Sequence, residues 1–155
     1  MRRHDREVLQ PEQIDAIIES CDCLRLGLNA EDGAYIVPLN FAYVPGKPAK
    51  FYFHSAKEGR KVDMIGQGAK AGFELDGAHR LGEAETGCRH TFFYQSVIGT
   101  GTVRPVETLE EKKRALSAIM AHYRKDCAFS FTDEQADAVA VFCLTAETMS
   151  CKQHS

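Results

Sequence analysis

One stretch, Phe51-Tyr-Phe-His-Ser-Ala-Lys-Glu-Gly-Arg-Lys61, combines residue types that can hold an anion. An aromatic strand ends in a hydroxyl, the chain enters a helical turn, and Gly59 precedes two cations. Backbone N–H groups at a helix start, a glycine that permits close approach, and the Arg60 and Lys61 side chains make a phosphate-sized site. The same residues also describe a capped helix with solvated basic groups. Upstream, Tyr35-Ile-Val-Pro-Leu-Asn-Phe-Ala-Tyr43 sets Pro38 inside an otherwise regular strand. A proline removes a ladder donor, which implies an edge, a bulge or a place where something approaches the backbone. Asn40 beside it offers a donor and an acceptor to a heteroaromatic ring, or is simply satisfied on an edge strand. Downstream, Tyr94-Gln-Ser-Val-Ile-Gly-Thr-Gly101 places small residues and hydroxyls in a strand, as a close ligand or a barrel corner would require.

Elements that could position these segments follow from hydrophobic spacing. After Pro11, Ile14, Ile17, Ile18 and Cys21 recur at helical intervals and predict a short amphipathic helix. Leu24, Leu26 and Leu28 alternate, Asn29 to Gly33 turns the chain, and Tyr35, Val37, Leu39, Phe41 and Tyr43 resume a period of two, which predicts a hairpin. Pro45 to Pro48 turns into the strand at Phe51, after which Ser55 is expected to cap a short helix reaching Ile65. Strands follow around Phe73 and Leu75 and from Phe92 to Val103. Thr108 with Glu111 forms a capping-box pattern before a helix whose apolar face is Leu109, Leu116, Ile119, Met120 and Tyr123. Thr132 and Gln135 repeat that signal ahead of a closing strand, Val139 to Leu144. Five or six strands joined by short turns favour a mainly β, antiparallel barrel with helices packed outside.

At 155 residues the chain is expected to be one domain, 1–155, with residues 1–10 as an N-terminal arm. Its 44% apolar and 26% charged content is ordinarily globular, and a net charge of −3 gives no reason to expect nucleic acid or an anionic membrane as a partner. The charged start lacks an apolar segment and no run approaches the ~20 residues of a spanning helix, so a cytoplasmic protein is expected. The six cysteines are expected to be free thiols. Zinc is disfavoured because Cys21-x-Cys23 and Cys88-x-His90 have one-residue gaps and no second paired half. Gly66-x-Gly68-x-x-x-Gly72 lacks Rossmann spacing, and no Ser-His-Asp arrangement can be assembled.

Taken together, Val-Pro-Leu-Asn-Phe, Tyr-Phe-His-Ser-Ala-x-x-Gly-Arg-Lys and Tyr-x-Ser-Val-Ile-Gly-x-Gly resemble the FMN-binding split-barrel proteins related to pyridoxamine 5′-phosphate oxidase. Within them, the chain is similar to the branch that contains the nitroimidazole-resistance proteins. The likeness runs from the Met-Arg-Arg start through Glu-Glu-Lys-Lys-Arg-Ala-Leu to the closing Glu-x-Met. It implies a six-stranded antiparallel split β-barrel with flanking helices, a homodimer, and one FMN at each of two sites across the subunit interface. By this resemblance Val37, Pro38, Leu39 and Asn40 line the isoalloxazine. His54, Ser55, Ala56, Arg60 and Lys61 hold the ribityl phosphate, and Tyr94, Ser96, Val97 and Ile98 close the pocket. Arg2, Arg3 and Arg6 fit the branch as well, or form a solvated terminus.

One departure concerns the substrate side. Branch members often carry a tryptophan shortly after the position of Cys88, whereas this chain reads Cys88-Arg-His-Thr-Phe-Phe and has no tryptophan. His90 or Phe92 could form that wall instead. The expected activity is an FMN-dependent oxidoreductase reducing a small nitroaromatic or quinone-like acceptor, with NAD(P)H as a diffusing donor. The alternative is a non-catalytic protein that stores FMN or relays electrons. Pyridoxamine phosphate oxidation itself is disfavoured, since its extra substrate-phosphate cluster and C-terminal extension are not evident. No catalytic residue is assigned; His54 and Tyr94 are the candidates for a general acid.

Overall fold

The computed structural model describes residues 4–155, so Arg2 and Arg3 of the arm lie outside the described residues. A 3₁₀ turn, His4–Arg6, enters the two-residue strand β1 (Glu7–Val8) and then helix α1 (Pro11–Ser20), with proline in its first turn and Ile17 and Ile18 buried. Strands β2 (Leu24–Ala30) and β3 (Gly33–Leu39) form the expected hairpin. After β4 (Ala42–Val44) and β5 (Lys50–Ser55) come helix α2 (Arg60–Ile65) and two long strands, β6 (Ala69–Gly82) and β7 (Thr91–Pro105). Helices α3 (Leu109–Tyr123) and α4 (Asp133–Asp137) precede β8 (Ala140–His154).

Every strand pairing is antiparallel, in the order β3-β2-β6-β7-β8-β5-β4, with β1 added to β8. Six strands have six or more residues, as expected, and β1 and β4 are short additions. The two edge strands, β3 and β4, follow one another in the chain without pairing, so the barrel is split between them. Phe41, Phe51, Phe53, Phe73 and Phe142 fill the interior, and Phe53 stacks on Phe142 with ring centroids 5.4 Å apart. A smaller cluster of Val106, Ala115, Leu116, Ala136 and Val141 lies under α3 and α4.

Several expectations are corrected. The alternation from Tyr35 to Tyr43 is not one strand, because it breaks at Asn40 and Phe41, where the chain leaves β2 and turns to pair with β5. Two successive residues, Phe41 and Ala42, are buried there, so the period of two slips. The end of α3 clamps this break: Phe41 N donates to Tyr123 Oη (3.2 Å), Tyr123 donates to Asp22 O (2.8 Å), and the His122 ring packs 4.4 Å from Phe41. The closing strand continues past Leu144 to His154, because its polar second half is paired along β7. Thr108 accepts from Glu111 N, but the Glu111 carboxylate takes the Tyr52 hydroxyl (3.0 Å) instead of closing a capping box. Thr132 and Gln135 do form a full box. Leu109, at the first turn of α3, is exposed.

The β6–β7 ladder contains one bulge, at Ala78 and His79, and Ala78 adopts φ +53°. A left-handed alanine costs about 1 kcal/mol relative to glycine. Ala78→Gly is therefore expected to raise stability by roughly that amount, less the added freedom of the unfolded chain; a urea melt checks it.

Candidate functional site

At the end of β5 the structure assembles His54, Arg60 and Lys61. His54 sits on the outer face, opposite Val141 of β8, and the chain then loops through Ser55 to Gly59. Ser55 does not cap α2, contrary to expectation: its Oγ donates to Ala56 O (2.7 Å), and Gly59, at φ +125°, occupies the cap position. That conformation favours glycine, and a Cβ at Gly59 would meet nothing within 4 Å, so the backbone here is open to solvent. Ala56 is exposed in the same loop.

Arg60 and Lys61 are placed differently. The Arg60 guanidinium donates to Asp32 Oδ1 (2.6 Å) on the β2–β3 turn and lies 4.9 Å from the Tyr35 ring centroid, which ties α2 to the edge strand β3. Lys61 is half-buried and has no hydrogen-bond or ion-pair partner among the described residues. Burial lowers its pKa from the ordinary lysine value. His54 is pushed down by burial and then by the Lys61 charge. Two neighbouring basic groups without a protein partner among the described residues, each disfavoured by burial in its charged form, suit an anionic ligand. A phosphate monoester fits this donor set, with Lys61 as a point charge and Arg60 free to present its remaining N–H groups.

His54 carries a pH consequence. Above its unfolded value of 6.5 it is neutral in both states and contributes nothing to stability. As pH falls through 6.5 the unfolded chain takes the proton first, so stability declines until the lower native pKa has been passed. Thermal melts of the protein at pH 7.5 and 5.5 are expected to differ less in His54→Gln than in the wild type, and inorganic phosphate is expected to reduce the wild-type difference.

On β3, Val37 is half-buried against the core and Leu39 is buried, while Pro38 and Asn40 are exposed. Pro38 lies on an edge strand, one of the settings its missing donor implied. A ligand lying along this edge would meet the backbone of residues 37–40 and the Pro38 and Asn40 side chains. On β7, Val97 is buried, Tyr94 and Ser96 are half-buried, and Ile98 is exposed. The register sets Pro38, Arg25, Glu74 and Ile98 in one row across β3, β2, β6 and β7. Arg25 donates to Glu74 (3.0 Å) and Asp76 (2.6 Å), and burial followed by the Asp76 charge raises the Glu74 pKa. Beside this row an apolar depression of about 460 Å³ runs between Ile36, Gly27, Gly72 and Ile98.

Residues 94–98 of β7 lie well back along the strand from the end that adjoins the His54–Lys61 cluster. Val141, the ladder partner of His54, accepts from Val106 N just beyond β7. Ser96 lies ten residues back along that strand, about 30 Å at ~3.3 Å per residue. Gly99 and Gly101 answer a different need: a Cβ at Gly99 would run into the Phe73 ring and Thr148 O, and one at Gly101 into Thr145 O. Close packing of the barrel wall, not a ligand, accounts for both glycines.

The described part of the arm contributes Arg6, whose guanidinium lies 6.0 Å from the Tyr94 ring centroid and whose buried Nε has no partner. Near the β6–β7 turn, His90 and Phe92 are exposed, and His90 Nδ1 lies 3.0 Å from Thr86 O. All six cysteines are free; Cys21 and Cys151 are buried, which pushes their thiols up to about 11. Among the described residues, no group of three or more His, Cys, Asp or Glu is placed to hold a metal, and no helix is long and apolar enough to cross a membrane. His79, at the bulge, was not singled out by sequence reasoning, because a bulge exists only once two strands are in register.

Comparison with known proteins matches this architecture. A candidate 5-nitroimidazole antibiotic resistance protein from Bacteroides thetaiotaomicron is 30% identical, with a TM-score of 0.80 over 95% of this chain and 86% of that one. An FAD and heme binding protein from Mycobacterium smegmatis shares the fold at 16% identity, with a TM-score of 0.83 over 97% and 74% of the two chains. A protein related to general stress protein 26 of the pyridoxinephosphate oxidase family, from Clostridium acetobutylicum, is 15% identical, with a TM-score of 0.63 over 94% and 92%. No curated protein matches in sequence. Across residues 10–153, however, the sequence matches the pyridoxamine 5′-phosphate oxidase family, and the chain belongs to that family.

Proposed function

We propose that this protein binds FMN and acts as an oxidoreductase, passing electrons to a small electrophilic acceptor such as a nitroaromatic or quinone-like compound. The observation that carries the reading is Lys61, half-buried and unpaired beside His54 and one residue from Arg60, where a ribityl phosphate would be held. The edge strand β3 is tied to this cradle through Arg60, so that an isoalloxazine could lie along residues 37–40. Flavin supplies the two-electron chemistry; the chain supplies orientation, charge neutralisation and an apolar wall. The 30% identity to a candidate nitroimidazole-resistance protein supports the choice of acceptor class.

In this reading the protein is a homodimer with one FMN at each of two interface sites. Tyr94, Ser96 and Ile98 complete the site that starts with the cradle of the other subunit, a reading supported by their separation along β7 from the cradle of their own chain. The outer sheet face with Ile36 (63% exposed) and Ile98 (55% exposed) is the natural contact surface, because a two-fold interface repeats one patch on both partners. NAD(P)H serves as a diffusing donor in the cytoplasm.

The test is an absorption spectrum of purified protein before and after adding FMN, with released cofactor identified by chromatography and mass by sedimentation. One FMN per chain in a dimer is the expected result. Failure to take up FMN would sink the proposal, while bound FMN without NAD(P)H-driven reduction of any nitroaromatic or quinone would favour storage.

A further inference from the structure

We propose that His79, which the β6 bulge sets beside Asp76, gives a proton to the acceptor; this rests on the flavin-dependent reading above. Gly77 pairs with Gln95 and Arg80 with Phe93, so Ala78 and His79 together oppose Tyr94. Bulges re-aim side chains and concentrate near active sites. This one includes Ala78, the described non-glycine residue at positive φ. The turn sends His79 back along its own strand: Nε2 lies 3.2 Å from Asp76 Oδ2, and its ring centroid is 5.8 Å from that of exposed Phe92.

Asp76 divides its oxygens between two partners. Oδ1 accepts from Arg25 (2.6 Å), which fixes the carboxylate, and Oδ2 faces the imidazole. His79 Nδ1 has no partner among the described residues. An exposed imidazole beside a carboxylate, with its other nitrogen open to a ligand, can exchange a proton with a bound acceptor. An exposed His–carboxylate pair adds little to stability, whereas a left-handed alanine costs some, so structural support alone does not account for the bulge. Its neighbours are Tyr94 and Phe92 on β7, Glu74 and Asp76 on β6, and Arg25 on β2. Asp76 is opposite Ser96, so His79 borders the wall assigned to Tyr94, Ser96 and Ile98.

Reduction of a quinone to a hydroquinone takes two electrons and two protons. A bound flavin, reduced by NAD(P)H, would supply both electrons and one of the protons. The His79 imidazolium brings the other to the second carbonyl oxygen, breaks its own N–H bond, and regains a proton from solvent. Asp76, with Oδ2 3.2 Å from His79 Nε2, is a positioning residue.

FMN-loaded wild type, His79→Gln and Asp76→Asn are compared by anaerobic stopped flow with two acceptors. Tetramethylbenzoquinone needs the proton; ferricyanide, a one-electron acceptor, does not. His79→Gln is expected to slow quinone reduction about 100-fold with ferricyanide reduction unchanged. Asp76→Asn is expected to slow quinone reduction to a lesser extent than His79→Gln, again with ferricyanide reduction unchanged. Without any donor, 4-methoxyphenol, a redox-inert mimic of the product, is expected to shift the His79 imidazole resonance of the oxidised protein. Loaded His79→Gln with an unchanged quinone-to-ferricyanide ratio, or a His79 resonance unmoved by the phenol, overturns the assignment alone. Equal loss with both acceptors overturns it in favour of a structural role, and failure of the wild type to load FMN overturns the flavin reading together with it.

Discussion

FMN binds about 10- to 100-fold more weakly to Lys61→Ala than to the wild type: this is the expected result of removing one charge-assisted contact worth about 1.5–3 kcal/mol. The side chain is half-buried and has no counter-ion among the described residues, so in the free protein its charge is only partly hydrated. A phosphate dianion restores what burial removed. Arg60→Ala is expected to cost less, because that guanidinium is half-exposed and already pairs with Asp32. The same reasoning gives an opposite sign without ligand, since removing a half-buried charge without a partner among the described residues leaves the protein without FMN equally or more stable. Fluorescence titration of FMN and a thermal melt separate the two effects. An unchanged Kd in Lys61→Ala would remove the phosphate from this cluster.

Gly99→Ala is expected to lower stability by about 3 kcal/mol, or roughly 10 °C in Tm. The new methyl group would overlap both the Phe73 ring and the Thr148 carbonyl. Neither can yield cheaply: Phe73 is buried with its ring 5.1 Å from that of Phe51, and Thr148 belongs to the paired backbone of β8. Gly87→Ala is the control, because a Cβ there meets nothing within 4 Å. Chemical denaturation of both variants checks the contrast, and similar midpoints would show that β7 and β8 can separate at no cost.

Elements governed by local spacing were legible before any coordinates. Pro11 and the Ile14, Ile17, Ile18 stripe announce α1, and the alternating leucines announce β2. Decisions made by distant residues were not. Between Tyr35 and Tyr43, Pro38 signals an irregularity but does not locate a break at Asn40, where the bond from Phe41 N to Tyr123, 82 positions away, clamps the chain. Likewise Thr145 to His154 is polar enough to read as a tail, and becomes strand because β7 offers a ladder of matching length. At the site, residue types indicated the anion cradle, but its cap passed from Ser55 to Gly59 because the loop is longer than one turn. His79 stayed hidden for a related reason: its position depends on how many residues β6 spends opposite Tyr94.

The place of β5 between β4 and β8 affects how the chain is made. Residues 50–55 find one neighbour at once, in β4, but the other is residues 140–145, more than half the chain later. During synthesis the Phe51 and Phe53 side chains therefore wait, unburied by β8, while the β6–β7 hairpin can already form from contiguous sequence. Pairings of such long sequence separation close late and slowly. The strand that bears His54 is then among the last to be fixed in place, so the cradle is completed only after β8 has left the ribosome, and a cofactor could select only the finished barrel.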